Sequence, residues 1–374
     1  MSILSRHPAA RWTIPIAAVG IAIGGTAVAG QLSASADTTL PPRSAAQLLV
    51  DVQTARVSAG SGTVVEKADL GLPQLPVAGG SGSSDLAALL SGNHTLRVWY
   101  AGPSKVRAAL LGTLGESDVI RNGSDLWIWS SDKNSATHRV LPNDGVGEKS
   151  PTINDLGGLA GSNLTPQQAA DQALAAVDRT TSISTDPAAR VAGRDAYELV
   201  LAPKGPGSLV KEIRIAVDAV QHVPLRVQVF ARNSGTPSVE VGFTQISFTR
   251  PADSQFRFAP PPGAKITGAS TPSTSSSTAA KAKDEAGSAV RNIAGTGWTA
   301  VIQEKLPVPA DQLAAKDEQL GQALHTLPRV SGSWGSGRLL SSKLFSLLVT
   351  DDGRVLAGAV PPGELYRLAG PAQP

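Results

Sequence analysis

Val119-Ile120-Arg121-Asn122-Gly123-Ser124-Asp125-Leu126-Trp127-Ile128-Trp129 reads as two apolar runs joined across Asn122-Gly123. Asn-Gly between β-branched and aromatic residues signals a hairpin, because both residues accept the left-handed backbone that a two-residue turn needs. Upstream, Leu96, Val98 and Tyr100 alternate with Arg97 and Trp99, and Val106 to Leu111 is a second run. Downstream, a Ser131 to Ser135 turn leads to Thr137 to Leu141. Four further alternating runs follow: Ala196 to Ala202, Glu212 to Asp218, Leu225 to Ala231 and Val239 to Phe248. Hairpins in succession predict an antiparallel meander, a sheet that can bury one face and leave the other wet.

Before the meander, Ala45, Leu48, Leu49 and Val52 recur at helical spacing behind Ser44, a fitting N-cap, and Thr63 to Ala68 reads as a strand. Gly71 to Gly92 is a Pro/Gly/Ser-rich loop, and Pro142 to Asn163 is polar and glycine-rich. Thr165-Pro166 opens a second helix, Pro166 to Val177. Thr267 to Ala280 is Ser/Thr/Ala/Pro-rich and reads as a flexible linker. A smaller α+β unit follows, with a strand at Trp298 to Ile302, a helix at Pro309 to Leu324, and a hairpin of Arg338 to Thr350 with Arg354 to Val360 around Asp352-Gly353. Pro361-Pro362 starts a terminal helix. The expected division is an export segment at 1–36, a main unit at 41–266, a linker at 267–287 and a small unit at 288–370.

The export reading rests on Arg6 and Arg11, the uncharged stretch from Trp12 to Gly30, and Ala34-Ser35-Ala36 before Asp37. Small-x-small is the pattern a signal peptidase needs. A cleaved signal peptide and a retained N-terminal membrane helix both fit, and either places the remainder outside the cytoplasm. The chain has 374 residues and no cysteine, which excludes disulfides, thiol catalysis and a lipidated cysteine. Its 33 basic and 30 acidic residues leave a net charge of +3, too diffuse to argue for nucleic acid.

No catalytic constellation emerges. There is no Gly-x-Ser-x-Gly elbow, and Gly145-Val146-Gly147-Glu148-Lys149-Ser150 lacks the glycine before lysine that a phosphate loop requires. His94, His138, His222 and His325 are far apart and expected in or beside turns, so no metal or cofactor is expected. The aromatic residues Trp99, Tyr100, Trp127, Trp129, Phe230, Phe243 and Phe248 all fall on expected strands. They form either a plain sheet core or the lining of an apolar cavity.

The order of four motifs resembles one family. Ala45-Ala46-Gln47-Leu48-Leu49 precedes a glycine and a strand, and Asn122-Gly123-Ser124-Asp125-Leu126-Trp127-Ile128-Trp129 is similar to an n-G-x-x-L-W-x-Y hairpin, with Trp129 in place of tyrosine. Val217-Asp218-Ala219 with Val223-Pro224-Leu225-Arg226-Val227 resembles an I-D-to-P hairpin, and Phe256-Arg257-Phe258 with Pro261-Pro262-Gly263-Ala264 resembles an F-x-F-x-P-P-x-G-a ending. Together they resemble the LolA/LolB and RseB/MucB-like superfamily of extracytoplasmic lipoprotein-binding proteins, over residues 43 to 266.

The resemblance implies an α+β chain whose main unit is an unclosed antiparallel β-barrel capped by helices over an apolar cavity, with no catalysis. It implies a lipid or acylated lipoprotein as ligand, and membrane association. An RseB-like regulator of an anti-sigma factor is the alternative, and an unrecognised extracytoplasmic hydrolase is a third reading. The cavity candidates are Leu96, Val98, Trp127, Trp129, Leu199, Leu201, Ile213, Ile215, Leu225, Val227, Val241 and Phe243.

Overall fold

The computed structural model describes residues 34–35, 40–72, 93–112, 115–141, 165–166, 170, 174, 177–269, 292–306 and 318–370. The rest of the export segment, most of the loops at 71–92 and 142–163, and most of the linker lie outside these residues. Among the described residues, no helix is long and apolar enough to cross a membrane.

The chain is mostly sheet. The strands of the larger sheet are β1 (Ala34–Ser35), β2 (Gly60–Ala68), β3 (His94–Tyr100), β4 (Lys105–Leu111), β5 (Glu116–Asn122), β6 (Asp125–Ser130) and β7 (Ser135–Val140). They continue as β8 (Thr181–Val191), β9 (Arg194–Pro203), β10 (Val210–Asp218), β11 (Pro224–Ala231), β12 (Pro237–Ser247) and β13 (Lys265–Ala269). Their order is β1-β8-β9-β10-β11-β12-β2-β3-β4-β5-β6-β7-β13, so the curved sheet does not close. All pairs are antiparallel except β7–β13. The return of β12 to β2 joins the early and late hairpins into one surface.

Helix α1 (Ala45–Thr54) forms where its periodicity places it. The Ser44 hydroxyl accepts the Gln47 N–H, and the Gln47 side chain accepts the Ser44 N–H, a capping box. Of the second expected helix, Pro166, Ala170 and Leu174 are described and helical.

Several boundaries differ from expectation for readable reasons. The β5–β6 turn centres on Gly123-Ser124, because Asn122 pairs with Asp125; Gly123 takes φ 66°, the left-handed backbone of a type II′ turn. Strand β8 is absent from the sequence reading. It is polar and carries Pro187 at an irregularity between Asp186 and Ala189, which a sheet tolerates near its edge. Strand β13 runs three residues into the expected linker, at Thr267, Gly268 and Ala269, held by its parallel ladder to β7 and by a Thr137–Thr267 hydroxyl contact of 3.1 Å.

A second sheet, in the order β14-β15-β19-β18-β17-β16, comprises β14 (Asn292–Ala294), β15 (Val301–Lys305), β16 (Arg329–Gly332), β17 (Gly335–Ser341), β18 (Ser346–Thr350) and β19 (Arg354–Gly358). Arg338 to Thr350 is thus two strands, not one. The Ser342 hydroxyl accepts the Leu344 and Phe345 N–H groups and turns the chain there. Trp298 lies in a short 3-10 turn before β15. Helix α2 (Glu318–Thr326) is the described part of the expected third helix, and α3 (Pro362–Ala369) begins at Pro362 as expected.

The two sheets share a core. Leu48 and Val52 of α1, Leu199 and Leu201 of β9, Ile213 and Ile215 of β10, and Val227 and Val229 of β11 pack in one cluster with Trp298, Leu340, Leu344 and Phe345. Across this contact the Leu209 N–H donates to Ala359 O at 2.7 Å, the Lys343 N–H to Leu70 O at 2.8 Å, and Trp298 Nε1–H to Thr181 Oγ1 at 3.0 Å.

Candidate ligand-binding face

Paired residues of an antiparallel ladder point to the same side, so the registers sort the larger sheet into two faces. One face carries rows such as Val241–Glu66–His94, Phe243–Val64–Leu96–Leu110 and Val98–Ala108–Val119–Ile128. On it, Val64, Leu96, Val98, Val106, Ala108, Leu110, Val119, Leu126 and Val241 form a buried apolar cluster, flanked by Tyr100, Leu141 and Phe243. All of these residues come from strands β2 to β6 and β12 or from Leu141 just after β7; no described helix and no residue of the second sheet joins them. A Cβ at Gly62 would stand 2.7 Å from the Phe243 ring, so glycine there lets the ring lie across β2.

The same face continues over β9 to β11, but there it is filled. Leu199, Leu201, Ile213, Ile215 and Val227 are packed beneath α1 and against the second sheet. Among the described residues this face therefore has two halves, here called the floor: a half at β9–β11 packed under α1 and the second sheet, and a half at β12 and β2–β6 lined by strand residues and Leu141.

The twelve candidates divide accordingly. Leu96, Val98, Val241 and Phe243 meet on the strand-lined half, and five sit in the filled half. Leu225 belongs to a small separate cluster with Val191, Ala196, Ala216 and Val223. Trp127 and Trp129 are on the opposite face from the other candidates of this half: Ile120 pairs with Trp127, and Asp118 with Trp129, while Val119 and Leu126 share the face of Leu96 and Val98. Trp127 stacks on His138 with centroids 4.2 Å apart, and Phe258 tilts against both indoles at 5.4 and 5.8 Å. The L-W and F-x-F motifs thus meet each other on this face of the sheet.

That opposite face also carries ion pairs among buried apolar residues such as Ala109, Ile120, Val200 and Ala216. The Arg97 and Arg107 guanidiniums both lie over Trp99, at 5.2 and 5.1 Å, and Arg107 pairs with Asp118 at 2.7 Å and Glu116 at 3.3 Å. Burial and the neighbouring Asp118 hold the Glu116 carboxyl above its usual range. Arg214 bridges Glu212, Glu198 and Asp186, and Arg226 joins Glu198 at 3.2 Å. Asp118 and Glu198 are buried, so these pairs satisfy charges within the packed sheet.

One polar side chain stands on the floor that the sequence reading did not single out. Glu66 of β2 lies between Val241 and His94, in phase with Val64 and Ala68. No hydrogen bond or ion pair holds it among the described residues, and burial pushes its carboxyl up to about 8. The signal that finds it is phase: within Val64-Val65-Glu66-Lys67-Ala68, Glu66 shares a face with the two buried residues and Lys67 does not.

His94 and His138 lie within strands, not in turns, and His94 is buried. Among the described residues, no group of three His, Asp or Glu side chains is placed to hold a metal ion. Asp218 is fully buried and secures the β10–β11 turn. Arg194 donates to both of its oxygens, and the Val220 and Gln221 N–H groups donate at 3.0 and 2.6 Å. The aspartate of the I-D-to-P motif is therefore a structural knot.

No family model and no curated protein matches the sequence. Among solved structures, the complex of MucA and MucB from Pseudomonas aeruginosa matches at 15% identity and a TM-score of 0.42, over 88% of this chain and 99% of that one. A structure of MucB matches at 17% identity and a TM-score of 0.37, over 87% and 96% of the two chains. A LolA-superfamily protein from Nitrosomonas europaea matches at 11% identity and 0.21, over 58% and 99%.

Proposed function

We propose that this chain is an exported, non-enzymatic protein of 1–36 export segment, 41–266 half-barrel, 267–287 linker and 288–370 second unit, which holds a lipid or the acyl chain of a lipoprotein on the strand-lined half of its floor. The observation that carries the reading is the asymmetry of that face. Among the described residues, its apolar side chains over β9–β11 are packed under α1 and the second sheet, whereas over β2–β6 the buried cluster is made of strand residues and Leu141. Transfer of a chain to such a surface is worth about 0.8 kcal/mol per methylene, so a modest contact suffices for useful affinity. Native mass spectrometry of residues 37–374, with extraction and identification of lipid, tests it. Co-purifying acyl lipid supports the reading; a protein free of lipid that also takes up none when offered it refutes it.

The layout of a half-barrel joined to a second unit favours one further reading, regulation of a membrane anti-sigma factor. The shared core supports it, because it ties the second sheet to the ligand-bearing sheet. Recovery of a membrane-protein partner on purification from membranes is the expected result, and its absence removes the reading.

A further inference from the structure

The strand-lined floor carries an acid where a purely greasy surface would carry none. Glu66 sits where the two halves meet: Ala68 and Val239 on one side belong to the filled core, while Val64 on the other side and Val241 directly across belong to the strand-lined cluster. We propose that Glu66 is the polar anchor of this floor, donating its carboxylic O–H to the ester or amide carbonyl of a bound acyl ligand. This rests on the acyl-binding reading above and specifies which end of the ligand is held, and where.

Three features support it. Glu66 lies on the floor face and has no protein partner among the described residues, so a ligand meets a carboxyl that no side chain already occupies. Its neighbours along β2 and across to β12 are apolar, and His94 of β3 is the titratable group directly across from it. Burial keeps the proton on the carboxyl at neutral pH, so the group offers a donor and no charge. A carbonyl supplies acceptors alone and complements that donor. An ammonium group would need the carboxylate, and a phosphate would find no cation beside Glu66 on its row.

The test uses the full chain after residue 36, Glu66→Gln, Glu66→Leu and two fluorescent probes. One probe is a labelled palmitoyl methyl ester and the other a labelled hydrocarbon of equal length with no carbonyl. Glutamine keeps an N–H donor, so the ester affinity should stay within about threefold of the parent. Leucine removes the donor and should weaken the ester roughly tenfold, while the hydrocarbon binds as well as before or better. If Glu66→Leu binds the ester as the parent does, or loses both probes alike while Glu66→Gln keeps them, Glu66 is no anchor. If the parent binds neither probe, the acyl-binding reading itself fails and takes the anchor with it.

Discussion

Glu66→Gln is expected to stabilise the protein at neutral pH, by an amount that grows with pH. Burial moves the Glu66 carboxyl from 4.5 to about 8, so folding takes up a proton that the unfolded chain has already released by pH 6. The contribution of Glu66 is therefore complete below the ordinary carboxylate range and drains away as pH rises to about 8. Within that window each pH unit is worth about 1.4 kcal/mol, or about 2.7 kcal/mol between pH 5 and pH 7. Glu66 keeps part of its surface in water, so about 2.7 kcal/mol is the ceiling of the difference. Glutamine fits the same space and does not titrate, so the difference between the two proteins isolates the carboxyl. Urea unfolding at pH 5, 6, 7 and 8 reads it, with equal slopes showing that the unfolded states match. A gap that stays constant across the series refutes the desolvation of Glu66 and removes the physical basis of its neutral-acid role.

Asp218→Asn should cost about 3 kcal/mol in urea unfolding, because it leaves Arg194 facing a neutral partner in a buried knot. Desolvation raises the Asp218 carboxyl, but Arg194 and the Gln221 and Val220 N–H groups outweigh it and hold it below its usual value, so the wild-type advantage should shrink as pH falls through the carboxylate range. Ala108→Phe, on the floor, should weaken binding of the palmitoyl probe at about 1–3 kcal/mol of lost stability, while Trp127→Ala on the outer face leaves binding unchanged; the reverse pattern would put the ligand outside. Ala192 takes φ 51° in the β8–β9 turn before Gly193, so Ala192→Asn should raise stability by about 0.5–1 kcal/mol in thermal unfolding.

How far the sequence could be read depended on whether one face of a strand contrasts with the other. Strands β3 and β10 alternate, and their inward residues were legible. Strand β6 does not: Leu126 and Ile128 are as apolar as Trp127 and Trp129, so its pattern cannot say which pair faces the floor. Size then drew attention to the tryptophans, although Phe258, more than a hundred residues away, is what covers them. Strand β8 was hidden because its residues are mostly polar and do not alternate, and it lies next to the sheet edge, where a polar strand is tolerated. The division of the floor depends on α1 and the second sheet arriving over β9–β11. That is a tertiary contact, and no local pattern in Leu199 or Ile213 announces it.

That contact also constrains how the two sheets can act together. Trp298, Leu340, Leu344 and Phe345 of the second unit are each at most 5% exposed within the shared core. Exposing four such side chains would cost roughly 6–12 kcal/mol, comparable to the whole stability of a domain. The second sheet would therefore stay in place if a ligand came and went on the proposed floor. Any message from the floor must pass as a shift within the packed core. Glu66 is positioned for that, since its two neighbours along β2 belong to different halves: Val64 to the strand-lined cluster, and Ala68 to the core that holds Leu344 and Phe345. A ligand carbonyl bound at Glu66 would press on the strand that joins floor and core, whereas one bound farther along β4 or β5 would meet the strand-lined cluster alone.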